Sequence, residues 1–176
     1  MLQIEVARTT ELTAPRLSEV RALLVDAFEG DFSDDDWRHT LGGWHVVVLE
    51  GRPVAHAAVV ARTLEVGART VRAGYVEGVA TAPDRQRQGL GGQVMEHVGH
   101  LLRSEFDMGA LSTHRWSFYE RAGWERWQGP SFVRHGEEML RTVDEDDGIM
   151  VLRFGVTLAL GLGEPICCEY RPGDDW

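Results

Sequence analysis

Residues 82–92 read Ala-Pro-Asp-Arg-Gln-Arg-Gln-Gly-Leu-Gly-Gly, between an apolar strand-like run and an amphipathic helical stretch. The first N–H groups of a helix lack internal partners, and the macrodipole places partial positive charge on them. Glycines let a pyrophosphate approach such a backbone closely. Arg85 and Arg87 add cationic side chains in a chain that is otherwise acidic. The chemistry this segment can do is therefore anion binding, and the bland alternative is a strand–turn–helix junction with solvated arginines. A Walker loop would need Gly-Lys-Ser/Thr, which is missing. The meander pattern that precedes the loop speaks against a dinucleotide βαβ unit.

Acidic residues form the second group. Asp31 with Asp34, Asp35 and Asp36, then Asp144, Glu145, Asp146 and Asp147, then Asp174 and Asp175, are ten acids in three short stretches. They equal the formal charge of −10. Acids in a first helical turn complement the dipole without any ligand, which suffices for Asp34 and Asp35. A polycationic ligand would need carboxylates placed separately, as these stretches are. The same charge argues against nucleic acid, whose phosphates demand a basic face. His97 and His100 lie three apart on a helical stretch, but the pattern is not His-Glu-x-x-His and no third ligand is evident, so no metal is expected. His56, within an apolar run, reads as a satisfied core histidine. Cys167 and Cys168 are adjacent and match neither a disulfide framework nor a zinc pattern.

These residues need a scaffold. At 176 residues the chain suits one domain spanning 1–176, large enough for a core without staples. Leu2 to Val6 alternates like a half-buried strand, and from Leu17 the apolar spacing is helical. Ser33 and Asp36 form a capping box for a short helix through Leu41, stopped by Gly42–Gly43. Trp44–Glu50, Pro53–Leu64 and Val71–Thr81 read as an antiparallel meander with turns at Gly51–Arg52 and 66–68. A helix follows Gly91, with Val94, Val98, Leu101 and Leu102 on one stripe. Then come a strand at Gly109–Ser112, a helical segment at Trp116–Arg121 ended by Gly123, a strand opening at Trp124, and a late strand at Met150–Thr157. This order implies α+β, with a central, mostly antiparallel mixed sheet flanked by helices. Met1 to Thr10 has no apolar stretch of signal-peptide type, and no apolar run approaches the ~18 residues of a membrane span. A cytoplasmic protein without membrane contact is expected.

Gln86-Arg87-Gln88-Gly89-Leu90-Gly91 resembles the Q/R-x-x-G-x-G/A coenzyme A signature of the GNAT acyltransferases. Over nearly the whole chain the sequence is similar to one family among them, the aminoglycoside 2′-N-acetyltransferases. The similarity is carried by residues 30–37, 39–43, 74–80 and 109–112, by Tyr119 with Gly123-Trp124, by Asp146-Asp147-Gly148, and by Arg171-Pro172-Gly173-Asp174-Asp175-Trp176. The resemblance implies the GNAT fold, acetyl-CoA as donor, and transfer to the 2′-amino group of an aminoglycoside antibiotic, with resistance as the outcome. It implies coenzyme contacts from Val79, Thr81, Arg85, Gln86, Arg87, Gln88, Gly89, Leu90, Gly91 and Gly92. It also implies substrate contacts from Asp31, Asp36, Glu77, Gly78, Ser112, Thr113, Asp146, Asp147, Asp174 and Trp176, and a homodimer.

Acyl transfer to an amine needs a neutral nitrogen, an oxyanion donor and a proton for the leaving thiolate. By resemblance the Val79 amide is the oxyanion donor. Tyr119 is the candidate acid, or else a core aromatic against Trp116 and Trp124. Glu77 is the candidate base, directly or through a water, since an ordinary Glu near 4.3 is a weak base; the alternative is a structural Glu. No nucleophile elbow or Cys–His pair supports covalent catalysis, so direct transfer in a ternary complex is expected. Two other readings stay open: a GNAT enzyme for another amine (a different aminosugar, a polyamine or a peptide N-terminus), and a non-catalytic coenzyme A or aminosugar binding protein.

Overall fold

The structure is a computed structural model that describes residues 1–176. The chain forms two compact units, one of residues 1–60 and 76–100, the other of residues 61–75 and 101–176.

In the first unit, β1 (Gln3–Arg8) pairs antiparallel with β2 (Trp44–Glu50), and β2 pairs antiparallel with the front of β3 (Arg52–Val66). Gly51, at φ +72, supplies the turn between β2 and β3. The back half of β4 (Arg69–Thr81) lies beside β3. Helix α1 (Ala14–Ala27) starts where the Thr13 side chain accepts from the Arg16 N–H. It buries Val20 and Leu24 with Val47 and Ala80, and Ala27, Phe32, Trp37 and Leu49 pack against them. Helix α2 (Asp34–His39) has the expected reciprocal capping box between Ser33 and Asp36. It ends ahead of Gly42, which takes φ +87. A Cβ on Gly43 would lie 2.1 Å from the Val59 carbonyl oxygen, so β3 can pass there only against a bare backbone.

The second unit holds the back of β3 and the front of β4, then β5 (Met108–Ser112), β6 (Glu125–Arg126), β7 (Ser131–His135), β8 (Glu138–Arg141), β9 (Ile149–Arg153) and β10 (Ile166–Glu169). Its strand order is β6-β9-β5-β4-β3-β10-β7-β8. The β4–β5 and β10–β7 pairs are parallel, and the other registered pairs are antiparallel. Helix α3 (Leu90–Glu105) ends in this unit. Its Leu102 packs directly on the neighbouring backbones of Gly74 and Gly109, where a Cβ would come within 2.3 and 2.7 Å. Helix α4 (Trp116–Glu120) precedes Gly123, at φ +85. Buried Arg62 donates to the carbonyls of Glu169 and Asp175, both at 2.6 Å, and its guanidinium faces the Tyr75 ring.

One expectation needs correction, and two elements have no counterpart in the sequence pattern. The late strand ends at Arg153, because Gly155 takes φ +54 and residues 155–159 form a 3-10 turn in which Thr157 Oγ1 accepts from the Phe154 N–H. The β7–β8 hairpin escapes the sequence pattern because all of β8 is exposed and shows no apolar alternation. Strand β10, Ile-Cys-Cys-Glu, is too short to carry a period of its own.

Gly43→Ala should lower stability by about 2–3 kcal/mol, since the obstacle is backbone and cannot rotate aside. Urea unfolding checks this, and an unchanged midpoint would contradict the close approach.

Candidate active site

β4 carries the first part of the site. Gly78 takes φ +56 inside the strand, a conformation that L side chains avoid and that interrupts the pleat. A Cβ there would meet Thr40 Cγ2 at 2.9 Å. The Gly78 carbonyl is engaged by a side chain, His56 Nδ1 at 2.8 Å. No peptide bond is cis, so the Val79 N–H in the same planar unit points opposite to that carbonyl. Strand pairing of β4 with β5 covers only Ala73 to Tyr75. Glu77, Gly78, Val79 and Thr81 are all half-buried.

The loop after β4 supplies the donors. Residues 83–85 form a single 3-10 turn. Arg87 at φ +60 and Gly89 at φ +81 then alternate with residues of ordinary φ. Such alternation turns successive N–H groups toward one side and forms an anion-binding concavity. The first amide of the following helix to bond back is Gln93, to the Gly89 carbonyl at 3.1 Å. That leaves the amides of Leu90, Gly91 and Gly92 pointing out of the helix end. Arg85 has partners of its own. Its guanidinium pairs with Glu50 and its Nε donates to Gln88 Oε1 at 3.0 Å, so its part is to brace the loop. Asp84 is gripped twice by Arg52 at 2.9 Å. Exposed Arg87 remains as the loop's available cation.

The acids of the first unit divide by partner. Asp34 pairs with Arg21 and Asp35 with Arg38. One Asp36 oxygen accepts from the Ser33 N–H and hydroxyl at 2.7 and 2.8 Å. Asp31 is exposed.

In the second unit Tyr119 is 7% exposed, edge-on to Phe118 and Trp124. Burial pushes its phenol up to about 12, with the Arg115 charge opposing. It therefore stays protonated at neutral pH and, against a thiol near 8.5, gives up its proton only to strongly developed charge. Ser112 Oγ donates to Glu145 at 3.3 Å, and the Thr113 N–H donates to the Gly148 carbonyl at 2.8 Å. The Trp116 indole N–H holds the Asp147 carbonyl at 2.8 Å, leaving the Asp147 side chain exposed. Asp174 is exposed, and the Trp176 side chain is buried.

Asp146 has several partners within the protein. Arg141 grips it with both guanidinium nitrogens, and the Ser131 N–H and hydroxyl donate at 2.9 and 2.8 Å. A carboxylate so occupied anchors the β7–β8 hairpin to its own loop. Glu145, which sequence reasoning passed over, is instead the acid beside Asp174. Burial and the Asp174 charge raise its pKa, while the Ser112 hydrogen bond and His114 pull the other way. Nothing in the run Asp-Glu-Asp-Asp distinguishes the two, since only the fold says which one faces an arginine.

His97 Nδ1 bonds to the Gln93 carbonyl at 2.9 Å, and no group of three metal-capable side chains gathers in the structure. No helix is long and apolar enough to cross a membrane. His56 is fully buried and bonded, as read from sequence, but its partner His45 was not foreseen. The signal lay in the hairpin register, which makes these histidines diagonal neighbours on one sheet face.

A family model for the acetyltransferase (GNAT) domain matches residues 8–127. An aminoglycoside 2′-N-acetyltransferase of Mycolicibacterium fortuitum is 40% identical over 177 aligned residues, covering 97% of this chain and 90% of that protein. The chain belongs to the aminoglycoside 2′-N-acetyltransferase family of GNAT acetyltransferases. Solved structures agree on the fold. A GNAT family N-acetyltransferase from Escherichia coli, in complex with CoA, matches with a TM-score of 0.67 at 18% identity, over 97% of this chain and 89% of that one. A GNAT family acetyltransferase from Brucella melitensis, in complex with acetyl-CoA, matches with a TM-score of 0.62 at 16% identity, over 97% of both chains. The protein is thus an N-acetyltransferase of GNAT type.

The Asp146 clamp has a measurable consequence. Its carboxyl is lowered to about 2, by the Arg141 hydrogen bonds first and then by Ser131. The folded value lies below the ordinary ~3.9, so this contribution to stability is present above about pH 4 and is lost as pH falls through the folded value. In Arg141→Met the Asp146 carboxyl should titrate closer to ~3.9 by carbon-13 NMR. A titration that does not move would contradict the clamp.

Proposed function

We propose that this protein transfers the acetyl group of acetyl-CoA to the 2′-amino group of an aminoglycoside, directly within a ternary complex, and that residues 1–176 act as one acetyltransferase domain. The observation that carries the coenzyme part is the outward-turned amide run from Arg87 to Gly92, which suits a pyrophosphate. Gln86, Arg87, Gln88, Gly89, Leu90, Gly91 and Gly92 contact the coenzyme, with Val79 and Thr81 along its acyl arm. The acceptor is argued from the 40% identical relative named as an aminoglycoside 2′-N-acetyltransferase. Cytoplasmic location, a homodimer and a part in drug resistance belong to the same reading, by resemblance.

The chemistry assigns each group a task. The Val79 N–H takes the charge that develops on the thioester oxygen as the amine attacks the carbonyl carbon. Glu77 accepts the proton that the amine must lose, directly or through a water. The C–S bond then breaks, and the leaving sulfur takes a hydrogen bond and finally a proton from Tyr119. With the phenol near 12, that donation follows the charge and does not precede it. Asp31, Asp36, Asp147 and Asp174 bind substrate ammonium groups, and Glu145 joins them in place of Asp146. Gly78, Ser112 and Thr113 contact neighbouring sugar groups, and Trp176 joins them by resemblance.

Thiol release from acetyl-CoA, followed with paired aminoglycosides bearing a 2′-amino or a 2′-hydroxyl group, tests the acceptor. Turnover should require the amine. Equal turnover of both would overturn the 2′ assignment, and binding of both ligands without turnover would favour a binding protein. Tyr119→Phe should lower kcat by about 100-fold with the KM for acetyl-CoA little changed; full activity would remove Tyr119 from the mechanism. Affinity for the aminoglycoside should fall at high salt as carboxylate–ammonium attraction is screened. Salt-independent binding would count against the acidic residues.

A further inference from the structure

Two neutral imidazoles stand in the middle of an apolar sheet. His45 and His56 are both at 0% exposure, among Val46, Val47, Val48, Ala55, Ala57 and Ala58. Polar groups at such positions cost stability unless bonded, and apolar residues would fill the space without that requirement. Both are bonded, in a single line. Thr9 Oγ1 lies 2.8 Å from His45 Nε2, His45 Nδ1 lies 2.9 Å from His56 Nε2, and His56 Nδ1 lies 2.8 Å from the Gly78 carbonyl oxygen.

The last atom fixes the direction of the whole line. A carbonyl oxygen only accepts, so His56 Nδ1 carries the hydrogen. Burial holds His56 at about 3 and His45 at about 4, so both are neutral at physiological pH. A neutral imidazole with its hydrogen on Nδ1 accepts at Nε2. His45 must then donate from Nδ1 and accept at its own Nε2, and the Thr9 hydroxyl must donate to it. Thr9 Oγ1 in turn accepts from the Gly42 N–H at 3.0 Å. The Gly43 carbonyl, 3.3 Å from Thr9 Oγ1, is the more distant of the two acceptors open to that hydroxyl, and His45 Nε2 at 2.8 Å is the nearer.

What the line ends on is the plane that bears the Val79 amide. Gly78 takes φ +56 within β4, and a glycine at such a position tolerates other settings of the peptide that follows it. We propose that His56, backed by His45 and Thr9, is a positioning residue that locks the Gly78–Val79 peptide so that the Val79 N–H is presented as the oxyanion donor. The proposal rests on the role given to Val79 under Proposed function. Holding the carbonyl sets the opposite N–H before substrate arrives, as preorganised stabilisation requires. It also polarises the peptide and makes that N–H a stronger donor.

Nitrogen-15 NMR of the imidazoles in the full chain should place the hydrogen on Nδ1 of both rings at neutral pH. An Nε2–H on His56 would overturn the proposal. His56→Phe should shift the Val79 amide nitrogen and lower kcat by about 10- to 100-fold with both KM values little changed. His56→Asn, which returns a donor close to the Nδ1 position, should restore both signals toward the original. A His56→Phe variant with unchanged kcat, or a kcat loss with an unmoved Val79 amide, counts against the positioning role. Should His56→Phe not fold, Thr9→Val removes the first donor, and unmoved His45 and His56 nitrogens would then exclude the directed line. If the unaltered protein transfers no acetyl group, the function reading fails instead, and the nitrogen shifts distinguish that outcome.

Discussion

A strand that must break its own pattern inside a protein has to keep its carbonyls bonded, and much of the arrangement around β4 follows from that need. Gly78 leaves the pleat at φ +56 where the strand is half-buried. Its carbonyl would be an orphan without a partner, which would cost about as much as a lost hydrogen bond. The partner comes from a side chain on β3, and that side chain needs a second histidine to satisfy its other nitrogen. The glycine cannot be replaced cheaply, because Thr40 and Leu24 close over it. One backbone irregularity thus accounts for a half-buried glycine, two buried histidines and a threonine just past the end of β1.

The same division between bracing and offering recurs in the charged residues. Three side chains of the loop after β4 are held in fixed pairs, Asp84 by Arg52, and Arg85 by Glu50 and Gln88. These pairs stiffen the backbone on which amide donors are displayed, and rigid amides cost no reorganisation when an anion arrives. Exposed pairs of this kind add little stability by themselves. Their contribution here is geometric.

The acidic excess divides likewise. Asp34, Asp35 and Asp146 are committed to arginines, and Asp36 is partly committed to its own helix cap. Burial first, and then the nearby Asp174 charge, raises the Glu145 pKa. Like charges held close in a folded protein are an unfavourable arrangement that a cationic ligand would relieve. The formal charge of −10 is therefore less a uniform field than a mixture of anchored and uncompensated carboxylates.

The sequence by itself determined the elements with strong local codes. The capping box at Ser33 and Asp36, the β2–β3–β4 run, the α3 stripe and the glycine-bearing loop all rest on spacings of a few residues, and the order of these elements is enough to set the α+β class. Family membership was legible for the same reason, since its motifs are short and contiguous. Tertiary structure alone decided which member of each cluster is available. Asp146 and Glu145 are adjacent and chemically alike, but Arg141 arrives from one side only. Arg85 and Arg87 are two apart, and Glu50 from another strand claims the first. His45 and His56 meet because β2 and β3 pair in one register and not in another. In each case the deciding partner is distant in sequence, and one-dimensional spacing carries no information about it.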